Sequence, residues 1–217
     1  MDPSWEPPKR GYVKVNIRAS SVAEALQNGN VNGVGILARD HRAKYLWGIM
    51  GPMRGVGFLE LQLWAIRKAV ITAYRKKIPR VVLETDNAHA YEILLEQDGD
   101  MLEEEGLEEV VRQINNLSRT YNHLKQDDGT RWDCELKSVH ASRNRTTLCM
   151  AQHGMSNCNS LVEVPVPFED LQEHLEMDMS FGPNADFLEV QPNFGEGEIL
   201  EAPPTIDLSS EDDEDDL

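Results

Sequence analysis

The chain has 217 residues, 21 Lys+Arg against 38 Asp+Glu, a formal net charge of −17 and 40% hydrophobic residues. The charge is lopsided: the last base is Arg145, so residues 159–217 hold eighteen acids and no Lys or Arg, while residues 1–158 sum to +1. Overall acidity therefore does not argue against nucleic-acid binding by the front part, and no stretch approaches the ~20 apolar residues of a membrane helix.

Gly11 to Arg18 alternates apolar and polar, with Val13, Val15 and Ile17 on one face, and predicts a strand. Val31–Asp40 and Lys44–Met50 predict two more, joined as a hairpin across Asp40–Ala43. From Phe58 the period turns helical, with Leu59, Leu63, Ile66, Val70 and Ala73 on one stripe, and Pro79 ends it. Arg80–Asp86 reads as a fourth strand. Ala88–Glu96 and Glu103–Asn122 read as helices, Arg131–Val139 as a fifth strand and Thr146–Met155 as a last helix. The order βββαβααβα predicts an α/β fold, a mixed five-stranded sheet with helices packed on it. A lead-in of residues 1–10 precedes this domain at 11–158, and residues 159–217 are expected to form an acidic, largely disordered tail. Within that tail, Phe168, Leu171 and Leu175 keep a helical spacing that fits a short docking helix.

Certain runs resemble a known family. Trp5-Glu-Pro-Pro8 followed by Gly11-Tyr-Val-Lys-Val-Asn16 resembles the opening of the plant reverse-transcriptase-like, ribonuclease H type 1 domains found in retroelements. Gly33-Val-Gly-Ile-Leu-Ala-Arg-Asp40 resembles their second strand, and Leu61-Gln-Leu-Trp-Ala-Ile66 their Ala-Glu-Leu-x-Ala-Leu helix. Val82-Leu-Glu-Thr-Asp86 resembles their Val-Glu-Ser/Thr-Asp strand end. His140-Ala-Ser-Arg143 with Met150-Ala-Gln-His-Gly154 loosely resembles their closing stretch. The resemblance implies a ribonuclease H-like fold from about Trp5 to Gly154.

It also implies a chemistry: hydrolysis of the RNA strand of an RNA–DNA hybrid by two Mg²⁺ ions on a cluster of carboxylates. Of the four acidic positions the family supplies, the first falls on Arg18 here, the second on Gln62 and the fourth near Met150; Asp86 alone is acidic. A guanidinium repels a divalent cation, so these vestigial positions imply an inactive site with no cofactor, in which Arg18 pairs with Asp86. The alternative is an active hybrid ribonuclease holding Mg²⁺ on Asp86 with Glu60 and Asp40. A further alternative is a decayed retroelement fragment with no selected role.

The family grips hybrids through backbone contacts, which makes Lys14, Arg18, Arg54, Arg143 and Arg145 candidate nucleic-acid contacts. In the tail, Ile206-Asp207-Leu208-Ser209-Ser210 followed by an acidic run resembles a SUMO-interacting motif, which would add a strand to a partner's sheet edge. The expected partners are thus a protein held by the tail, SUMO among the options, and a nucleic acid, with no membrane. Cys134, Cys149 and Cys158 read as reduced thiols of a nuclear or cytoplasmic protein. With His140 and His153 they lack the paired spacing of a structural zinc site.

Overall fold

The alternation that begins at Val13 closes into strand β1, Val13–Ser21, with Val15, Ile17 and Ala19 fully buried on one face. The computed structural model describes residues 5–21, 31–96, 107–125, 129 and 131–181. Strands β2, Val31–Arg39, and β3, Tyr45–Arg54, follow as the expected hairpin. Its turn is fixed by Asp40, whose carboxylate accepts from the backbone N–H groups of Arg42 and Lys44 at 2.8 and 2.9 Å. Helix α1, Phe58–Arg75, ends where Lys77 enters the left-handed region ahead of Pro79, with the Ile78 N–H donating to Ala73 O. Strand β4, Arg80–Thr85, helices α2, Ala88–Glu96, and α3, Leu107–His123, strand β5, Asp133–Ser138, and helix α4, Arg145–Asn157, complete the expected order.

The sheet runs β5-β4-β1-β2-β3 and then a sixth strand, β6, Val162–Val164. The β1–β4 and β4–β5 pairs are parallel and the others antiparallel. One face carries Val15, Ile17, Val34, Ile36, Trp47, Ile49, Val81 and Leu83 against α1 and α3 in the main core. The other face receives α4, and the glycine-rich second strand explains how. A Cβ on Gly33 would sit 2.4 Å from Ala151 O, and one on Gly35 would sit 2.4 Å from Thr147 O. The helix backbone rests directly on the strand, and only glycine admits that approach.

The expected five-stranded sheet and the domain end at residue 158 both need correction. Strand β6 pairs with β3 through Val164 opposite Gly48 and Val162 opposite Met50. Helix α5, Glu169–Phe181, buries Leu171 and Leu175 against Leu37, Met50, Met150 and Val164 in a second core cluster. The docking helix hinted at by Phe168, Leu171 and Leu175 thus docks on its own domain. Loss of basic residues after Arg145 marks a change of surface charge, not the end of burial. The acids Glu169, Asp170, Glu173 and Glu176 face outward, while the two leucines contribute about 1.5–3 kcal/mol each. The acidic run and the Ile206–Ser210 motif lie outside the described residues.

Candidate functional site: a carboxylate enclosed by donors

Period two along β1 puts Lys14, Asn16 and Arg18 on the face that carries α4, while Val15, Ile17 and Ala19 enter the main core. Beside β1, parallel β4 presents Glu84 opposite Asn16 and delivers Asp86 one residue past its end. A 3₁₀ turn at Ala141–Asn144 then feeds α4 and leaves Asn144 as its N-cap residue at the same sheet end. Three sequence-distant side chains meet there.

Arg18 Nη1 lies 2.7 Å from Asp86 Oδ2, and Asn144 Nδ2 donates to Asp86 Oδ1 at 2.9 Å. Both oxygens of the carboxylate are therefore taken, one by a guanidinium and one by an amide. Arg18 also reaches Ala141 O at 3.4 Å, and Asn144 donates to Ile17 O at 3.0 Å. Gln62 is buried under the same point from the α1 side. Its Oε1 accepts the Ala19 N–H at 2.7 Å, and its Nε2 donates to Thr85 Oγ1 at 3.0 Å. It thus braces the backbone after Arg18 and the residue before Asp86. A glutamate could accept these contacts but could not donate.

The expected pair of Arg18 with Asp86 is present, and the expected fourth position is corrected. Met150 is fully buried in the second core cluster beneath Gly48, whereas Asn144 is the residue of this region that reaches Asp86. Asn144 is 1% exposed and was missed because the helix start, not a motif count, decides which residue faces the sheet end. An aspartate in its place would set a like charge against Asp86, so an amide suits a site without a cation. Glu60 and Asp40 are occupied elsewhere, Glu60 on the N–H of Gly57 at the start of α1 and Asp40 in the hairpin turn. The donor set around Asp86 thus does not fit Mg²⁺, which requires several oxygen ligands.

Beside this site lies a buried polar cluster built from residues that the sequence offers as separate markers. Trp5 Nε1 donates to Asn16 Oδ1 at 3.0 Å, and Asn16 Nδ2 donates to Glu84 Oε2 at 3.0 Å. The Arg39 guanidinium lies 3.7 Å over the Trp5 ring, donates to Asn16 Oδ1 at 3.3 Å and pairs with Asp178 of α5 at 2.7 Å. Lys14 pairs with Glu84 at 2.5 Å and donates to Glu6 O. Burial pulls the pKa of Lys14 down, opposed by Glu84, and burial pulls that of Arg39 down, opposed by Asp178.

These contacts re-sort the candidate nucleic-acid residues. Lys14 is 6% exposed and committed to Glu84, so it is removed from the contact surface. Arg18 is bound to Asp86, and Arg143 holds both carboxylate oxygens of Glu6 at 2.9 and 3.3 Å. Arg54 and Arg145 are exposed. Among the described residues, no group of three or more His, Cys, Asp and Glu is placed to hold a metal ion. Cys149 and His153 line an open groove of about 540 Å³ between α4 and α5, with His153 stacked on Phe168 at 3.9 Å, whereas Cys134 sits on β5.

No protein-family model and no curated protein matches the sequence. Solved structures do match the fold. The N-terminal RNase H domain of a Mycobacterium tuberculosis protein is 12% identical at a TM-score of 0.52, covering 67% of this chain and 94% of that one. LC11 RNase H1 in complex with an RNA/DNA hybrid is 11% identical at 0.51, covering 68% and 99%. The prototype foamy virus protease–reverse transcriptase is 15% identical at 0.54, covering 73% of this chain and 22% of that one. With a mixed six-stranded sheet, helices on both faces and these neighbours, the chain has the α/β ribonuclease H-like fold.

Proposed function

We propose that this chain is a ribonuclease H-like domain that does not hydrolyse nucleic acid and serves as a binding module. One observation carries the reading: both oxygens of Asp86 are held by the donors Arg18 and Asn144. An acid whose two oxygens are held by a guanidinium and an amide is a finished ion-pair network, with its charge already balanced. The fold neighbour solved with an RNA/DNA hybrid supports a nucleic-acid ligand for this architecture. Arg54, Arg145 and the arginines of the sheet face would supply its phosphate contacts. The acidic segment beyond residue 181 would hold a protein partner, and Ile206, Asp207, Leu208, Ser209 and Ser210 have the order of a SUMO-interacting strand.

The test is a pair of assays on the full chain. A labelled RNA–DNA hybrid with Mg²⁺ or Mn²⁺ should remain uncut, while fluorescence anisotropy registers binding that weakens with salt. Cleavage abolished by Asp86→Asn would overturn the reading. For the protein partner, Ile206→Ala with Leu208→Ala should abolish capture of purified SUMO; unchanged capture would remove that partner.

A further inference from the structure

Two carboxylates from the segments flanking the sheet sit on two arginines of the α4-bearing face. Asp178 of α5 places Oδ2 2.7 Å from Arg39 Nη1 and accepts from Thr146 Oγ1 at 2.6 Å. Thr146 lies in the first turn of α4, so a guanidinium and a hydroxyl converge on one oxygen. These are the donors that a phosphate oxygen recruits. Arg39 is held ready for such a ligand: its plane rests on Trp5, Asn16 fixes Nη2, and its Nε is buried with no partner. Next to Trp5 in the chain, Glu6 grips Arg143 through both carboxylate oxygens in a half-exposed pair. Ala141 and Asn144 of the same 3₁₀ turn contact Arg18 and Asp86, which places Arg143 beside the Arg18–Asp86 pair.

We propose that Asp178 and Glu6 are built-in stand-ins for phosphates, masking Arg39 and Arg143 as two contact points for a nucleic-acid backbone, so that this face binds fully only when α5 lifts and the Glu6 carboxylate releases Arg143. The proposal rests on the nucleic-acid reading above and adds its regulation. The masks come from the ends of the domain: Glu6 is an exposed residue of the lead-in, and Asp178 lies on α5, after the last strand. Helix α5 is seated by Leu171 and Leu175 and turns its remaining acids to solvent, which suits an element that can detach while the sheet stays whole. A staple with no ligand role would account for the ion pairs alone. It gives no gain in affinity when the charge is removed.

The test measures anisotropy of a labelled RNA–DNA hybrid with the full chain at several KCl concentrations. Glu6→Gln and Asp178→Asn should each tighten binding about tenfold near 0.1 M salt and steepen the plot of log K against log salt by about one. Adding Arg143→Ala to Glu6→Gln should return its gain. Leu175→Ala, which loosens α5 without touching charge, should tighten binding by a smaller factor. Glu173→Gln, the same charge change on the outer face of α5, should leave affinity within about twofold. If Asp178→Asn does not fold, the surface variant Glu6→Gln and Leu175→Ala decide. Wild-type binding left unchanged by Glu6→Gln and Leu175→Ala would overturn the masks and leave the nucleic-acid reading standing. An equal gain from Glu173→Gln would also overturn them, as bulk charge. Absence of binding by every variant would overturn both.

Discussion

Replacing Arg18 and Asn144 with aspartate should give Asp86 the company that a divalent cation needs. A Mg²⁺ ion sits about 2.1 Å from a carboxylate oxygen, and Arg18 Nη1 lies 2.7 Å from Asp86 Oδ2. Ion and guanidinium would therefore be about 5 Å apart and repel by about 7 kcal/mol at an effective dielectric of about 20. The Arg18 side chain is 21% exposed, so screening reduces this, and half of it still spans more than two decades of affinity. Arg18→Asp with Asn144→Asp removes that repulsion and sets three carboxylates around one point. Without metal they repel each other, and the variant should melt below wild type. With Mg²⁺ at about 100 times its dissociation constant, the gain should be about 2.7 kcal/mol, or roughly 5–10 °C for a domain of this size. Calorimetric melting of both proteins from 0 to 10 mM Mg²⁺ checks it. Matching Mg²⁺ responses in wild type and a folded variant would refute the electrostatic argument. Adding Gln62→Glu should strengthen binding further.

Asn144→Leu removes the donor to Asp86 and to Ile17 O and should cost about 2–3 kcal/mol in urea unfolding, the range for a buried bond to a charged group. Gly35→Ala drives a methyl toward Thr147 O and should cost about 1–3 kcal/mol by pushing α4 off β2; wild-type stability would contradict the seating described. Burial pushes the Cys134 thiol from 9.0 up to about 12, so its native thiolate population at pH 8 is about a thousandfold below that of an ordinary thiol. Alkylation at pH 8 should therefore modify Cys158 well before Cys134, as peptide mapping would show. Because the unfolded chain ionises first, this thiol's contribution is whole below pH 9 and should fall as pH rises toward 12.

The elements were legible because their periods are local. Val13, Val15 and Ile17 announce a strand and Leu63, Ile66 and Val70 a helix, whatever lies around them. The Arg18–Asp86 pair was legible too, since two positions of one implied site carry opposite charges. Asn144 was not. A 3₁₀ turn precedes α4, so the residue at the sheet end is the helix cap, and Met150, more than one turn further on, points into the second core. The Trp5–Asn16–Arg39 cluster was visible only as three separate markers, because strand register brings them together. Helix α5 was legible as a short docking helix from Phe168, Leu171 and Leu175, but not as part of this domain, because charge dominates its composition while two leucines on one side decide its burial.

The most direct test of the central claim is a Mg²⁺ titration of the wild-type chain followed by the amide NMR shifts of Arg18, Asp86 and Asn144. The enclosed carboxylate predicts no saturable shift at these residues up to about 10 mM. A saturable shift centred on Asp86, with Arg18 turned away from it, would show that the ion pair yields to metal and would contradict the account.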